Sequence, residues 1–168
     1  AEAAARVGAG LVSVATRSEH ASAMMAVRPE IMWHGVNHAH DLEPLLARAT
    51  VVALGPGLGQ SAWSMQLFQR VMDSNLPLVV DADALNLLAQ APSMRGRWVL
   101  TPHVGEAARL LECATGEIAQ DRLMAVQRLV QRFSGVMVLK GSGTLVIDET
   151  ARVDLCNGGN PGMACAGM

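Results

Sequence analysis

The chain of 168 residues has no tyrosine, three tryptophans and two phenylalanines. Charged residues make up 17% of it, the net charge is −2, and no basic block occurs. Proteins that hold single-stranded nucleic acid stack bases on aromatic rings, and nucleic-acid readers in general carry a basic face. Neither is present, so nucleic acid is not an expected partner. No apolar run reaches the ~18 residues that a bilayer span needs, so no membrane association is expected. The start, Ala1-Glu-Ala-Ala-Ala-Arg6, lacks the basic-then-apolar pattern of a signal peptide and reads as a helix entered partway along. Cysteine is scarce too. Cys113, Cys156 and Cys165 are odd in number and lack metal-ligand spacing. Cys113 and Cys156 lie in apolar contexts, so buried free thiols of a reducing cytoplasm are expected rather than disulfides or zinc.

What the chain has instead is apolar surface, with 51% of residues hydrophobic. The length suffices for one domain with its own core and is too short for two ordinary ones. Residues 1–168 are expected to form a single domain.

Apolar, β-rich runs alternate with helical patterns. Leu11–Ala15 follows a Gly8-Ala-Gly10 stop, and Ser18 is the expected cap of a helix through Ala26. Ile31–Trp33 suggests a short strand and Asp41–Arg48 a short helix. Val51–Leu54, Leu76–Val80 and Trp98–Leu100 read as strands, with helical periodicity over Ser61–Ser74, Glu106–Leu111 and Gly116–Phe133. Val136–Leu139 is a further strand. Continuous apolar strands separated by helices predict an α/β fold, with a mostly parallel central sheet flanked by helices on both faces. Leu145–Ile147 and Val153–Leu155, separated by Asp148-Glu-Thr150, predict an antiparallel hairpin near the C-terminus.

Ligands of open α/β sheets bind beyond the carboxyl ends of the strands, and four polar clusters fall there. Gly55-Pro-Gly-Leu-Gly59 joins a strand to a helix; it is either a ligand-binding turn or a turn that only needs positive φ. Asp81-Ala-Asp83 offers two carboxylates, with Asp81 favoured for a ligand and Asp83 for capping the next helix. In Thr101-Pro-His-Val-Gly-Glu106, Pro102 stiffens the loop. His103 would reach the cleft as a neutral imidazole, and Glu106 would open a helix, where its charge suits the dipole. Lys140-Gly-Ser-Gly-Thr144 brings backbone amides, two hydroxyls and an ammonium into five residues, a composition suited to phosphate or ribose. His34, His38 and His40 are tied to no site. A second glycine-rich segment, Asn157–Met168, ends the chain.

Seven motifs recur in a familiar order. They are Gly8-Ala-Gly-Leu-Val12, Arg28-Pro-Glu30, Gly55–Gly59, Asp81–Asn86, Thr101-Pro-His103 with Gly105-Glu106, Leu139–Thr144, and Asn157 onward. Together they resemble the ADP/ATP-dependent NAD(P)H-hydrate dehydratases of the ribokinase-like superfamily, over essentially the whole chain. The resemblance implies metabolite repair: hydrated NADH or NADPH is phosphorylated on its ring hydroxyl, and elimination of phosphate restores the cofactor. ADP is typical of bacterial members and ATP of eukaryotic ones, with magnesium on the phosphates. By the same resemblance, Lys140, Gly141, Ser142, Gly143 and Thr144 bind the nucleotide. Gly57 or Gly59, Asp81 and His103 contact the hydrated dinucleotide, and Glu106 serves the magnesium–phosphate water network.

Two departures stand out. Val104 occupies a position where the family usually has proline. The family's catalytic aspartate follows the Gly-Met pair that here closes the chain at Gly167-Met168, so the chain is expected to be incomplete at both ends and inactive alone. A homo-oligomer is expected from the apolar content. Two other readings stand beside this one: a small-molecule kinase of the same fold, against which His103 argues, and a non-catalytic adenylate-binding module.

Overall fold

The computed structural model describes residues 1–159, so Cys165 and the end of the second glycine-rich segment lie outside the described residues. The chain forms two compact units, Ala1–Ala49 with Ser61–Asn75, and Thr50–Gln60 with Leu76 onward.

In the first unit, β1 (Ser13–Thr16) and β2 (Met32–Gly35) pair in parallel, with Ser13 opposite Met32 and Thr16 opposite Gly35. Helix α1 (Glu2–Arg6) precedes them, and α2 (Ser18–Val27) makes the crossover. Ser18 was expected to cap α2, but Arg17 holds the cap position without a side-chain bond. The Ser18 hydroxyl donates instead to Asn37 Oδ1 at 2.9 Å. Gly35 explains the crowding there: a Cβ on it would stand 2.6 Å from Ser18 Oγ. The helix expected from Asp41 starts earlier, as a 3-10 turn over Ala39–Leu42 that runs into α3 (Glu43–Leu46). Asp41 causes this, because its carboxylate accepts the N–H groups of Asn37 and His38, each at 2.9 Å. Helix α4 (Ala62–Met72) is capped by Ser61, whose hydroxyl accepts the Ser64 N–H, and it buries Ser64, Leu67, Phe68 and Val71 along one face.

The second unit is built on a six-stranded sheet in the order β3 (Val52–Leu54), β4 (Leu78–Val80), β5 (Trp98–Leu100), β6 (Val136–Leu139), β7 (Thr144–Ile147), β8 (Val153–Cys156). Pairing is parallel from β3 to β6 and antiparallel from β6 to β8. The appended hairpin thus appears where its sequence pattern puts it. Helices α5 (Ala82–Gln90), α6 (Val104–Leu111), α7 (Thr115–Gln120) and α8 (Arg122–Phe133) complete the unit. Its core holds Leu78, Val80, Leu100, Met137 and Leu139 from the sheet, and Leu85, Leu88, Leu110, Leu129 and Phe133 from the helices. Burying a side chain of this size fully contributes about 1.5–3 kcal/mol.

Periodicity predicted one helix over Gly116–Phe133. The structure has two, broken at Asp121, whose carboxylate accepts the Met124 N–H at 2.9 Å and so starts α8 afresh. The break changes the helical phase, and Leu123 in the first turn of α8 is 53% exposed. Cys156 was also expected to be buried; it lies exposed on β8, while Cys113 is half-buried, and both are free thiols.

Candidate active site

Three neighbouring parallel strands deliver the site of the second unit. Strand β4 leads into Asp81, β5 runs out through Thr101-Pro-His103, and β6 leads into Lys140. The loops are tied at the backbone, with Asp81 N–H donating to Leu54 O at 3.0 Å and Lys140 N–H to Pro102 O at 2.8 Å. Apolar strands hold the sheet in place, so the polar residue that follows each one is fixed to within the reach of its own side chain.

Lys140 is the one lysine in the chain. Its ammonium donates to Asp81 Oδ1 at 2.6 Å and lies 3.9 Å from Glu106 Oε2. Burial pushes the Asp81 carboxyl up, but the hydrogen bond and charge of Lys140 outweigh it and hold the group below its ordinary range. Lys140, expected to serve a nucleotide, therefore stands between the two acids.

His103 is the N-cap of α6. Its Nδ1 accepts the N–H groups of Gly105 (2.9 Å) and Glu106 (3.3 Å), while Glu106 Oε2 accepts the His103 N–H at 2.8 Å. This reciprocal arrangement is a capping box with imidazole in place of a hydroxyl. With Nδ1 accepting, the neutral ring carries its proton on Nε2, which lies 3.5 Å from Glu106 Oε1. Glu106 is only 5% exposed and, with Ser64, is one of two buried polar side chains among the described residues. Val104 occupies the first position of α6, the place in a helix that best tolerates proline. The cap around His103 forms without it.

The Gly55–Gly59 turn needs its glycines, since Gly55, Gly57 and Gly59 all have positive φ. Gly55 (φ +129) is structural, since a Cβ there would come within 1.7 Å of Asp81 O. Gly57 (φ +70) has nothing within 4 Å of its would-be Cβ and leaves its backbone open. The Gly59 N–H is already taken: it donates to Asp83 Oδ2 at 2.8 Å. Asp83 therefore does not cap α5. That position falls to Asp81, without a side-chain bond, and Asp83 clamps the glycine turn instead.

The Lys140–Thr144 turn links β6 to β7, with Gly141 (φ +152) and Gly143 (φ +68) in the left-handed region. The Thr144 hydroxyl donates to Gly141 O at 3.1 Å. The N–H groups of Gly141, Ser142 and Gly143 have no hydrogen-bond partner among the described residues, so consecutive backbone donors stand open. Beside them lies a cleft of ≈ 510 Å³, lined in part by Gln120, Arg122, Ser142, Gly143, Leu155 and Asn157. Sequence reasoning missed Arg122, whose guanidinium bonds the carbonyls of Leu139 and Ser142. An arginine at a helix start among other charged residues carries no signal of its own. Among the described residues no group of three or more His, Cys, Asp or Glu side chains could hold a metal by itself, and no helix is long and apolar enough to cross a membrane.

The family model for NAD(P)H-hydrate dehydratase matches residues 1–168. The chain belongs to this family. It is 55% identical, over all 168 of its residues, to the bifunctional NAD(P)H-hydrate repair enzyme Nnr of Coxiella burnetii, of which it covers 34%. Among solved structures it is similar to a ribokinase-like superfamily protein from Enterococcus faecalis, at TM-score 0.85 and 30% identity, covering 99% of this chain and 59% of that one. It is likewise similar to the ADP/ATP-dependent NAD(P)H-hydrate dehydratase of Bacillus subtilis co-crystallized with ATP/Mg2+ and soaked with CoA. There the TM-score is 0.79 and the identity 26%, over 98% of this chain and 61% of that one. The chain thus spans about a third of the Coxiella relative. Membership in the dehydratase family agrees with the expected fold, a mostly parallel α/β sheet with antiparallel strands near the C-terminus and ribokinase-like neighbours.

Proposed function

We propose that the protein carries out the nucleotide-dependent dehydration of hydrated NADH or NADPH. A ring hydroxyl leaves poorly; phosphoryl transfer from ADP or ATP converts it to a phosphate ester, and loss of phosphate with a ring proton restores the double bond. Such a step relies on positioning and electrostatics more than on covalent help from the protein. The observation that carries this reading is the meeting of Asp81, His103, Glu106 and Lys140 at the ends of three adjacent strands, next to a turn of open amides.

In this reading the nucleotide phosphates lie on the N–H groups of Gly141, Ser142 and Gly143, a nest that favours anions, with Thr144 closing the turn. Lys140, released from Asp81, supplies a point charge to the transferring phosphoryl group. The hydrated dinucleotide lies against the open backbone at Gly57 and the clamped turn at Gly59. The Asp81 carboxylate and the Nε2–H of His103 serve as acceptor and donor for its polar groups. Magnesium needs few protein ligands where phosphates and waters complete its shell. The buried carboxylate of Glu106 fits that role through water, with Asp81 the other acid beside Lys140. Bound there, the ion would neutralise charge on the phosphates.

The expected surroundings are the cytoplasm and a homo-oligomer, with ADP or ATP as the phosphoryl donor. The test incubates the full-length gene product with hydrated NADH, magnesium, and ADP or ATP. Recovery of the dihydronicotinamide absorbance with release of one phosphate per turnover is expected. No recovery with either nucleotide overturns the proposal.

A further inference from the structure

The turn that offers Gly141, Ser142 and Gly143 is shaped by a residue from another element. Arg122 opens α8, and its guanidinium donates from Nη2 to Leu139 O at 3.1 Å and from Nη1 to Ser142 O at 2.6 Å. One planar fork thus holds both shoulders of the turn, a geometry that an ammonium cannot reproduce. Its Nε is buried and has no hydrogen-bond partner among the described residues. The two carbonyls, rather than the stem, therefore fix the fork.

The peptide plane carries this order to the amides. A trans peptide directs C=O and the following N–H in opposite directions. With Leu139 O turned to Arg122, the Lys140 N–H points away and meets Pro102 O at 2.8 Å. With Ser142 O turned to Arg122, the Gly143 N–H likewise faces away from the guanidinium and is left open. The approach is close: a Cβ on Gly141 would lie 3.1 Å from Nη2. Arg122 makes no ion pair with a carboxylate among the described residues, and the neighbouring Asp121 is engaged in capping α8. Arg122 also lines the ≈ 510 Å³ cleft beside the turn.

We infer that Arg122 is the positioning residue of the nucleotide loop: by holding Leu139 O and Ser142 O it fixes the peptide planes from which the loop amides are turned toward the phosphates, on the side away from its own guanidinium. This rests on the nucleotide-dependent reading above. Removing the fork leaves the elements that hold the chemistry in place, so the defect belongs to nucleotide binding and not to turnover.

The experiment compares Arg122→Lys and Arg122→Met with the wild type in the full-length gene product, by steady-state kinetics, calorimetric titration of ADP and ATP, and thermal melting. In both variants the nucleotide KM and Kd are expected to rise about tenfold or more, as befits loss of charge-assisted bonds. The kcat at saturating nucleotide is expected to stay within about threefold, with the KM for the hydrated dinucleotide unmoved. Millimolar guanidinium is expected to restore part of the affinity of Arg122→Met. If Arg122→Met does not fold, Arg122→Lys alone decides, because it keeps the charge and loses only the fork. Wild-type nucleotide affinity in the variant that folds, or an equal fall in kcat with no change in KM, overturns the inference. A wild-type protein that neither binds nucleotide nor turns over overturns the functional reading itself, and the role of Arg122 falls with it.

Discussion

The ammonium of Lys140 and the carboxylate of Asp81, 2.6 Å apart, join the ends of two strands that are not neighbours, since β5 runs between β4 and β6. The bond crosses the mouth of the sheet, where ligands of such folds bind. Any anion that draws Lys140 toward the Gly141–Gly143 amides must break it, which frees Asp81 for another donor at the same moment.

The stability this pair contributes follows from the depressed Asp81 carboxyl. A group whose folded-state pKa is lowered stabilises fully above its unfolded value, about 4, and loses that stability as pH falls through the folded value. Both side chains are partly exposed, so the expected contribution is at most about 1 kcal/mol. Asp81→Asn should therefore lower Tm at pH 7, and the gap to wild type should narrow on titration to below about pH 4. A gap that persists unchanged in acid would show that the charge is not its cause.

His103 separates two functions that one substitution can split. His103→Ala removes the cap of α6 and is expected to cost about 1 kcal/mol in chemical denaturation. His103→Asn retains a good cap but lacks the Nε2–H. It should melt near wild type and still lose dehydration activity by about tenfold or more. If both variants lose activity only in proportion to stability, His103 is a cap and nothing else.

Glu106→Gln keeps an acceptor for the His103 N–H while removing a buried charge beside Lys140. Folding should be retained, and the magnesium concentration for half-maximal activity should rise about tenfold. A magnesium titration that superimposes on wild type would remove Glu106 from the metal network.

The glycines of the Gly55–Gly59 turn should behave differently. Gly55→Ala drives a Cβ into Asp81 O and is expected to abolish soluble expression or to cost several kcal/mol. Gly57→Ala meets no atom and pays only for positive φ, about 1 kcal/mol. It should fold, with a raised KM for the hydrated dinucleotide. Equal losses of soluble yield in the two variants would contradict this division.

Strand ends were legible because long apolar runs stop where polar residues begin, and this alone put Asp81, Thr101-Pro-His103 and Lys140 on one edge of the sheet. Caps were less so. Ser18 and Asp83 both carry good capping groups, yet each bonds a partner distant in sequence, Asn37 and the Gly59 N–H. The break at Asp121 was hidden because apolar residues continue on both sides of it, so periodicity across Gly116–Phe133 survives a change of phase that only the Asp121–Met124 bond reveals. The contact between Arg122 and the loop at 139–142 depends on where α8 meets β6, which no local pattern encodes.

A solitary lysine gives the chain a built-in reporter. Reductive methylation with isotope-labelled formaldehyde would mark one ε-amine within residues 1–168, at Lys140. Its NMR shift would register directly whether that nitrogen faces a carboxylate or a phosphate, so the exchange of partners can be watched at a single atom as nucleotide is added.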